Sequence, residues 1–475
     1  MKTWSRYNHL FHSERFGYFL YNALSNIMLE LDEAHFTIVE DIRDGRQGTP
    51  LESDKAFFEL LKEKGFLASE EDERLQLMQL RYQRNVACFS TAHLGLTICP
   101  TLTCNFTCSY CFEHSQNDVK VMNPNTIDAL ISFVKKHQDA ENLSVNWYGG
   151  EPTIVFNVIK SLTERFLELY PDYENAGLVT NGYSLDKTKI EQLTALKISS
   201  VQITLDGIES THNNRRMLKN GKPTYRKILE NIDALMHSSW KGSCAIRVNI
   251  DKTNLHEYPT LRKELLERYK GKKLTVYTGH INTFVDHSYD HKCGLCNTEW
   301  AEFTIGLYKK EGIIPRGGFY PTNGALNTCI TTSQYGYVIG PEGEIYKCWE
   351  DVGKEQMVIG SIYDDQPVSN AELVARYSIG TDPFDDEACI KCPVMPVCGG
   401  GCANKRMRSQ QFGEEGLEFC SPLKNNLTSY LEAYLDIKQT DAICASILSK
   451  KSFGSTMKRG YQMIQPERTK AQNGV

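Results

Sequence analysis

An α/β architecture with smaller units at both ends is what this sequence predicts, and three observations carry the prediction. Strand-like and helix-like segments alternate between residues 93 and 281. Short alternating strands precede helical spacing in the first 90 residues, and beyond residue 290 the periodicity gives way to Gly, Pro and Cys. The 475 residues are also too many for one ordinary core and suggest two to four domains.

Taken in order, residues 7–12, 17–22 and 27–31 are short, partly alternating segments separated by turn residues, which predicts a three-stranded meander. Residues 33–42 and 54–64 carry helical apolar spacing; in the second, Phe57, Phe58, Leu60 and Leu61 share a side and Gly65 supplies a stop. Residues 70–83, highly charged, read as a third helix. Six strands are then predicted at 94–98, 144–148, 177–180, 200–205, 244–250 and 274–278. Amphipathic stretches lie between them, such as 126–136, where Ile127, Leu130, Ile131 and Val134 fall on one helical face. Such alternation predicts parallel strands with covering helices, either an open doubly wound sheet or a barrel, and periodicity does not choose between them. Residues 320–425 hold few long periodic segments, and metal ligation would supply the constraint that apolar burial lacks there. Helical spacing returns at 425–449, and the last 25 residues read as a loose polar tail.

Hydrophobic residues at 41% and charged residues at 24% fit a soluble globular protein. The net charge of -6 speaks against nucleic acid as a partner, since phosphate neutralisation needs a surplus of Lys and Arg. No secretory signal follows Met1, and no run approaches the roughly 20 apolar residues that span a bilayer. The expectation is a cytoplasmic protein without a membrane partner.

Sixteen cysteines are then the anomaly, because a reducing compartment disfavours structural disulfides. Cys104, Cys108 and Cys111 form one tight group; Cys389, Cys392, Cys398 and Cys402 form another. Cys329, Cys348 and Cys420 stand around the second group, with Cys293 and Cys296 ahead of it. Clustered thiols at short spacing mean metal, zinc or iron–sulfur, whereas the isolated Cys88, Cys99, Cys244 and Cys444 read as small buried hydrophobes. Three thiolates at Cys104-x3-Cys108-x2-Cys111 can hold three irons of a [4Fe–4S] cluster and leave the fourth open, as catalysis requires. A zinc site would need a fourth ligand nearby, which His114 could supply.

With Tyr110 at its aromatic position, the triad resembles the C-x3-C-x-aromatic-C signature of the radical S-adenosylmethionine (SAM) superfamily. Further matches end successive predicted strands: Gly149-Gly150-Glu151-Pro152, Thr180-Asn181-Gly182, and Thr204-Leu205-Asp206-Gly207 followed by His212 and Arg216. Each alone could be an ordinary turn; jointly they lie at the face where barrel enzymes build their sites. The resemblance covers about residues 93–281 and implies a partial (β/α)6 radical SAM barrel. It further implies that Cys104, Cys108 and Cys111 bind the catalytic cluster and that Gly149, Gly150, Glu151 and Pro152 meet the SAM amino group. Thr204 would approach the ribose or carboxylate and Arg216 the carboxylate, with Tyr110, Asn181, Asp206 and Asn249 as further cofactor contacts.

Cys329-x13-Gly343-x4-Cys348, Cys389-x2-Cys392-x5-Cys398-x3-Cys402 and Cys420 resemble the seven-cysteine pattern of SPASM domains, irregular cysteine-rich units that carry auxiliary clusters. That resemblance implies Cys329, Cys348 and Cys402 on a nearer auxiliary cluster and Cys389, Cys392, Cys398 and Cys420 on a farther one. The cofactors would then be three [4Fe–4S] clusters, one catalytic and two auxiliary, and SAM. Gly343 and Gly399-Gly400-Gly401 would let the backbone approach the clusters closely. Where fully ligated relatives have an eighth cysteine, Asn323 stands; either Cys293 or Cys296 completes the nearer site or one iron stays open.

The first unit resembles the winged-helix recognition element of ribosomal-peptide maturases, a three-stranded sheet and three helices that bind a leader peptide as an added strand. The implied organisation is a recognition-like α+β domain at 1–90, a radical SAM core at 91–310, a SPASM domain at 311–435, and a C-terminal helix and tail at 436–475. The implied function is a maturase that cross-links a ribosomally made precursor peptide through a thioether or carbon–carbon bond. Its partners would be the leader-bearing precursor and an external reductant such as flavodoxin or ferredoxin. One alternative is an anaerobic sulfatase maturase making formylglycine, whose aspartate base follows the cysteine of G-x4-C where Trp349 stands here. The other is a non-catalytic iron–sulfur electron carrier, against which the complete motif set speaks.

Overall fold

The computed structural model describes residues 2–46, 55–111, 113, 119–281, 293–326, 329–449 and 461–464. Its first unit opens on an antiparallel meander of β1 (Asn8–Ser13), β2 (Gly17–Asn22) and β3 (Ile27–Leu31). Strand side chains alternate between faces, and here both faces are covered. Leu20 and Leu29 join Val39, Phe57 and Leu61 from α1 (Glu33–Arg43) and α2 (Lys55–Glu63). Phe19, Tyr21 and Met28 pack instead with Phe384, Met395 and Leu431 of the cysteine-rich region and the helix beyond it. α3 (Glu70–Cys88) starts on a capping box of Ser69 and Asp72 and runs past the expected end to Cys88.

The six predicted strands are all present: β4 (His93–Ile98), β5 (Asn142–Trp147), β6 (Ala176–Thr180), β7 (Ile198–Thr204), β8 (Ser243–Ile250) and β9 (Leu274–His280). They run parallel, and neighbours in space are neighbours in sequence throughout. A doubly wound sheet reverses its strand order at a switch point. This sheet does not reverse, so it is wound as a barrel is. It stays partial because the far edge of β4 pairs with β10 (Gly336–Ile339), in parallel, from Gly336↔Gly95 to Ile339↔Ile98.

Two sequence expectations are corrected here. Residues 320–425 are more regular than their composition suggests: β10, β11 (Glu344–Tyr346) and β12 (Gly360–Ser361) extend the barrel sheet to nine strands. Tyr337, Val338, Ile339 and Ile345 share the barrel core, being apolar on both faces and too short to show a period. The polar tail, read as loose, contains β13 (Tyr461–Ile464), which pairs antiparallel with β3 from Leu31↔Tyr461 to Met28↔Ile464. Among the described residues no helix is long and apolar enough to cross a membrane.

Candidate active site

β4 leads into the loop bearing the three clustered cysteines, and β5 delivers Gly149-Gly150-Glu151-Pro152 beside it. Gly150 N–H donates to the Thr101 carbonyl (3.1 Å) and Glu151 N–H to that of Thr103 (3.0 Å). Glycine makes this approach possible: a Cβ at Gly149 would stand 2.5 Å from Thr101 O, and one at Gly150 2.5 Å from Leu102 O. Glu151 is fully buried, and its carboxylate accepts from Thr153 N–H (3.0 Å), the Thr180 hydroxyl (2.6 Å) and Asn181 N–H (2.6 Å). The carboxylate of the motif therefore ties the ends of β5 and β6 together. Burial raises its pKa, and these donors work against the rise. Pro152 opens a single turn of helix that Glu151 caps.

Asn181 completes the stitching: its amide donates to Asn105 Oδ1 (2.8 Å) and lies 3.8 Å from Cys104 Sγ. Cys108 sits in a short antiparallel ladder opposite Arg216. Burial pushes the Cys104 thiol up to about 12, with the Glu151 charge adding to the rise. Cys111 is raised by burial too, then by the charges of Glu113, Cys108 and Cys104, which marks the three thiols as one group. On Cys108, burial raises the pKa while the Arg216 guanidinium lowers it.

Tyr110 is the hub of a second cluster. Its hydroxyl donates to Asp206 and accepts from Arg216 Nη1 (2.7 Å) and Asn249 Nδ2 (3.0 Å). The Arg215 guanidinium lies over its ring at 5.2 Å. Asp206, wholly buried, accepts from Asn249 N–H (3.1 Å), and its own N–H donates to His212 Nδ1 (3.2 Å). His212 Nε2 therefore carries the proton facing Thr224 Oγ1 at 3.1 Å. Arg216 is buried with Nε lacking any acceptor among the described residues, a donor at hand for an anionic group. Thr204, at the end of β7, is buried beside this network.

The second cysteine set falls into two neighbourhoods. The Cys329 charge acts on both Cys348 and Cys402, whereas those of Cys420 and Cys389 act on Cys398. Cys392 lies near Tyr7 of the first unit. Buried Arg406 donates to Cys389 Sγ (3.2 Å) and to Gly400 O (3.3 Å). Among the described residues, no three of His, Cys, Asp and Glu gather tightly enough to hold one metal ion. A tetrahedral zinc would need sulfurs about 3.8 Å apart, given Zn–S bonds of about 2.3 Å. In a [4Fe–4S] cluster each thiolate takes its own iron and the sulfurs stand wider, and an all-thiol donor set is the chemistry such clusters take.

Gly401 is forced by close backbone approach, since a Cβ there would lie 1.6 Å from Phe419 O, next to Cys420. Gly343 turns the chain between β10 and β11 at φ 92°. Cys296 caps the helix Asn297–Glu311, and Asn297 donates to the Cys420 carbonyl (3.0 Å). The Cys293 carbonyl accepts from Lys252 N–H (2.9 Å). Asn323 Oδ1 is buried without a partner among the described residues. Trp349 stacks on Tyr148 at 5.7 Å, and Asp351, two residues on, is buried against Tyr377 and Asn404. His114 and the Cys444 side chain lie outside the described residues.

Sequence reasoning passed over three residues of this site. Arg215 pairs with Asp251 (2.7 Å) and reaches Asp206 (3.6 Å). Asn254 donates to the carbonyls of Asp206 (3.1 Å) and Asn249 (2.8 Å). Glu113 is held up to about 7 by burial, with Oε1 lacking a partner among the described residues. Only the first had a local signal, as the arginine preceding Arg216.

Comparison with known proteins agrees with this geometry. Residues 98–265 match the model of the Radical SAM superfamily. The chain is 20% identical over 378 residues to a serine-type anaerobic sulfatase-maturating enzyme of Bacteroides thetaiotaomicron, covering 71% of this chain and 89% of that one. It is 20% identical over 424 residues to the radical SAM cyclopropyl synthase TigE of Paramaledivibacter caminithermalis, covering 81% and 85%. Among solved structures, native anSMEcpe with bound AdoMet and Cp18Cys peptide superposes with a TM-score of 0.56 at 19% identity, over 74% of this chain and 99% of that one. At that identity the likeness speaks for the fold.

Proposed function

Because this chain is a radical SAM enzyme of the maturase type, we propose that it cross-links a ribosomally made precursor peptide, forming a thioether or carbon–carbon bond. The observation that carries this reading is the pairing of the site with the first unit. The sheet of that unit and its third helix pack on the cysteine-rich region through Phe19, Tyr21, Leu80, Phe384 and Met395, so a peptide held by the unit would lie near that region.

Cys104, Cys108 and Cys111 would hold the catalytic cluster. Cys329, Cys348 and Cys402 would hold one auxiliary cluster, and Cys389, Cys392, Cys398 and Cys420 the other. When bound, the reduced catalytic cluster supplies the electron that cleaves SAM to methionine and a 5′-deoxyadenosyl radical able to take hydrogen from an unactivated carbon. The protein's own part is positional. Gly149 and Gly150 fix the cysteine loop against β5, and Asn181 fixes Cys104. Tyr110, itself bonded to Asp206 and Asn249, holds Arg216, which with Thr204 would bind the SAM carboxylate or ribose. Burial of this network would keep water and stray hydrogen donors away from the reacting groups.

Likeness to sulfatase maturases supports a second reading, formylglycine formation on a protein. Trp349 in place of the expected aspartate, and the buried state of Asp351, weigh against it. The deciding experiment incubates the anaerobically reconstituted enzyme with SAM, dithionite and two peptides, a Cys-rich precursor and a sulfatase-motif peptide. Loss of two hydrogens from the precursor, with a tandem-mass pattern showing a link, is the expected result. Formylglycine on the sulfatase peptide alone would reverse the assignment.

A further inference from the structure

The edge of the β1–β3 meander is filled by the protein's own C-terminal segment. Tyr461, Gln462, Met463 and Ile464 lie antiparallel to Leu31, Glu30, Leu29 and Met28. We propose that β13 is a displaceable plug that must leave the β3 edge before the peptide read as substrate of the first unit can pair there, and that this peptide carries the same apolar pattern with a basic residue facing Glu30. This rests on the reading of the first unit as a peptide-recognition element.

Four observations carry the inference. First, β3 is Ile-Met-Leu-Glu-Leu, a flat apolar strand of the kind that pairs with whatever chain meets it unless something blocks its edge. Second, the opposite edge is differently placed: His9 of β1 hydrogen-bonds Thr428 of the helix Leu423–Ser449 at 2.7 Å, and Arg15 pairs with Asp436 of that helix at 2.5 Å. The helix is thus held against β1 and the turn after it by side chains, whereas β3 pairs with a strand. Third, the segment reads both faces of the sheet. Met463 packs with the Leu20, Leu29 and Phe57 cluster, and Ile464 with the cluster of Phe11, Phe19 and Tyr21 on the other side. An incoming strand thus needs apolar side chains at two successive positions.

Fourth, the plug is imperfectly matched. Among the described residues four pair, and Gln462, exposed, stands opposite Glu30. Glu30 is half-buried and its carboxyl is raised by that burial. A neutral glutamine leaves the charge uncompensated, whereas Lys or Arg at that position would pair with it across the strands. A tethered strand with such a mismatch is suited to exchange: it shields an aggregation-prone edge and yields to a better-matched peptide.

The test needs no knowledge of the natural precursor. The probe is a fluorescein-labelled synthetic peptide with the sequence of residues 458–467 of this chain. Its binding is measured by anisotropy to the full chain and to a chain ending at residue 460, each reconstituted with iron. A tethered strand competes at an effective concentration on the order of 1 mM, so a trans Kd of about 10 µM predicts about 100-fold weaker apparent binding to the full chain. The full-length variant Met463→Asp should bind the probe nearly as the truncated chain does. A probe carrying Gln462→Lys should bind the truncated chain about two- to fivefold more tightly, and Glu30→Gln should erase that gain.

Equal probe affinity for the full and truncated chains would overturn the proposal. So would no binding to a truncated chain that keeps its iron content, circular dichroism and SAM cleavage. A full chain that dimerises through this segment and falls to monomers on truncation would also overturn it, by making the strand an exchange between copies. Failure of every precursor to be modified by either form would count against the peptide-maturase reading alone and leave the binding result standing.

Discussion

Replacing Gly150 by alanine tests whether the strand-end glycines set the position of the cysteine loop. The added Cβ would fall 2.5 Å from Leu102 O, 2.6 Å from Leu102 C and 2.6 Å from Thr103 O, all backbone atoms, whereas ordinary contact begins at 3.4 Å. The loop must retreat by about 0.9 Å to restore normal contact, and it cannot do so by turning a side chain aside. Overpacking of this kind costs about 1 to 3 kcal/mol of stability. The larger effect is on geometry: Cys104 follows Thr103 directly, and a misplacement of about 1 Å at a reacting centre costs on the order of 100-fold in rate. The assay is 5′-deoxyadenosine formation under anaerobic conditions, with iron content and thermal midpoint measured on the same samples. Gly306→Ala is the control, because a Cβ there meets nothing within 4 Å and the site lies inside a helix, where alanine is favoured. The expected outcome is a rate near 1% of the parent for Gly150→Ala and no loss for the control. Full cleavage activity with normal iron in Gly150→Ala would refute the reasoning.

Three further outcomes follow from the same geometry. Changing Cys104, Cys108 and Cys111 together to Ala should remove one of three clusters, seen as a loss of about one third of bound iron, and abolish 5′-deoxyadenosine formation; surviving cleavage would show that the cluster is held elsewhere. Tyr110→Phe leaves Arg216 Nη1 and Asn249 Nδ2 without their acceptor, which should cost about 2 to 4 kcal/mol by denaturant titration and raise the KM for SAM. Burial, then Arg216 and Arg215, hold His212 well below its ordinary value, so below about pH 6.5 the unfolded chain takes up a proton that the folded chain refuses. Stability should therefore fall with falling pH by about 1.4 kcal/mol per unit for this residue, and urea midpoints of His212→Asn between pH 5 and 7.5 should show a shallower slope. Burial lowers His9, His137 and His280 too, so the parent's slope should exceed that of one group.

The six parallel strands, the meander and the cysteine motifs were legible in the sequence because each is a local property. A period of two or 3.6, a turn residue, or thiols three and four apart carry their signal within a few positions. The gathering of Tyr110, Asp206, Arg216 and Asn249 was legible only as a list of motif positions. That they bond to one another, and that Glu151 spends its carboxylate tying β5 to β6, is decided by where the strand ends meet. Strand order was likewise a tertiary matter, since a strand's own residues do not say which neighbour it takes, and β4 takes β10 from more than two hundred residues away. Arg215 and Asn254 act through Asp251 and Asp206, both distant in sequence, so no motif announced those bonds, and the burial of Glu113 is likewise set by the fold. The clearest case is Tyr461–Ile464. Four residues are too few to specify a strand by their own propensity, and these become one only because the apolar edge of β3 supplies the backbone partners and covered faces that the segment itself lacks.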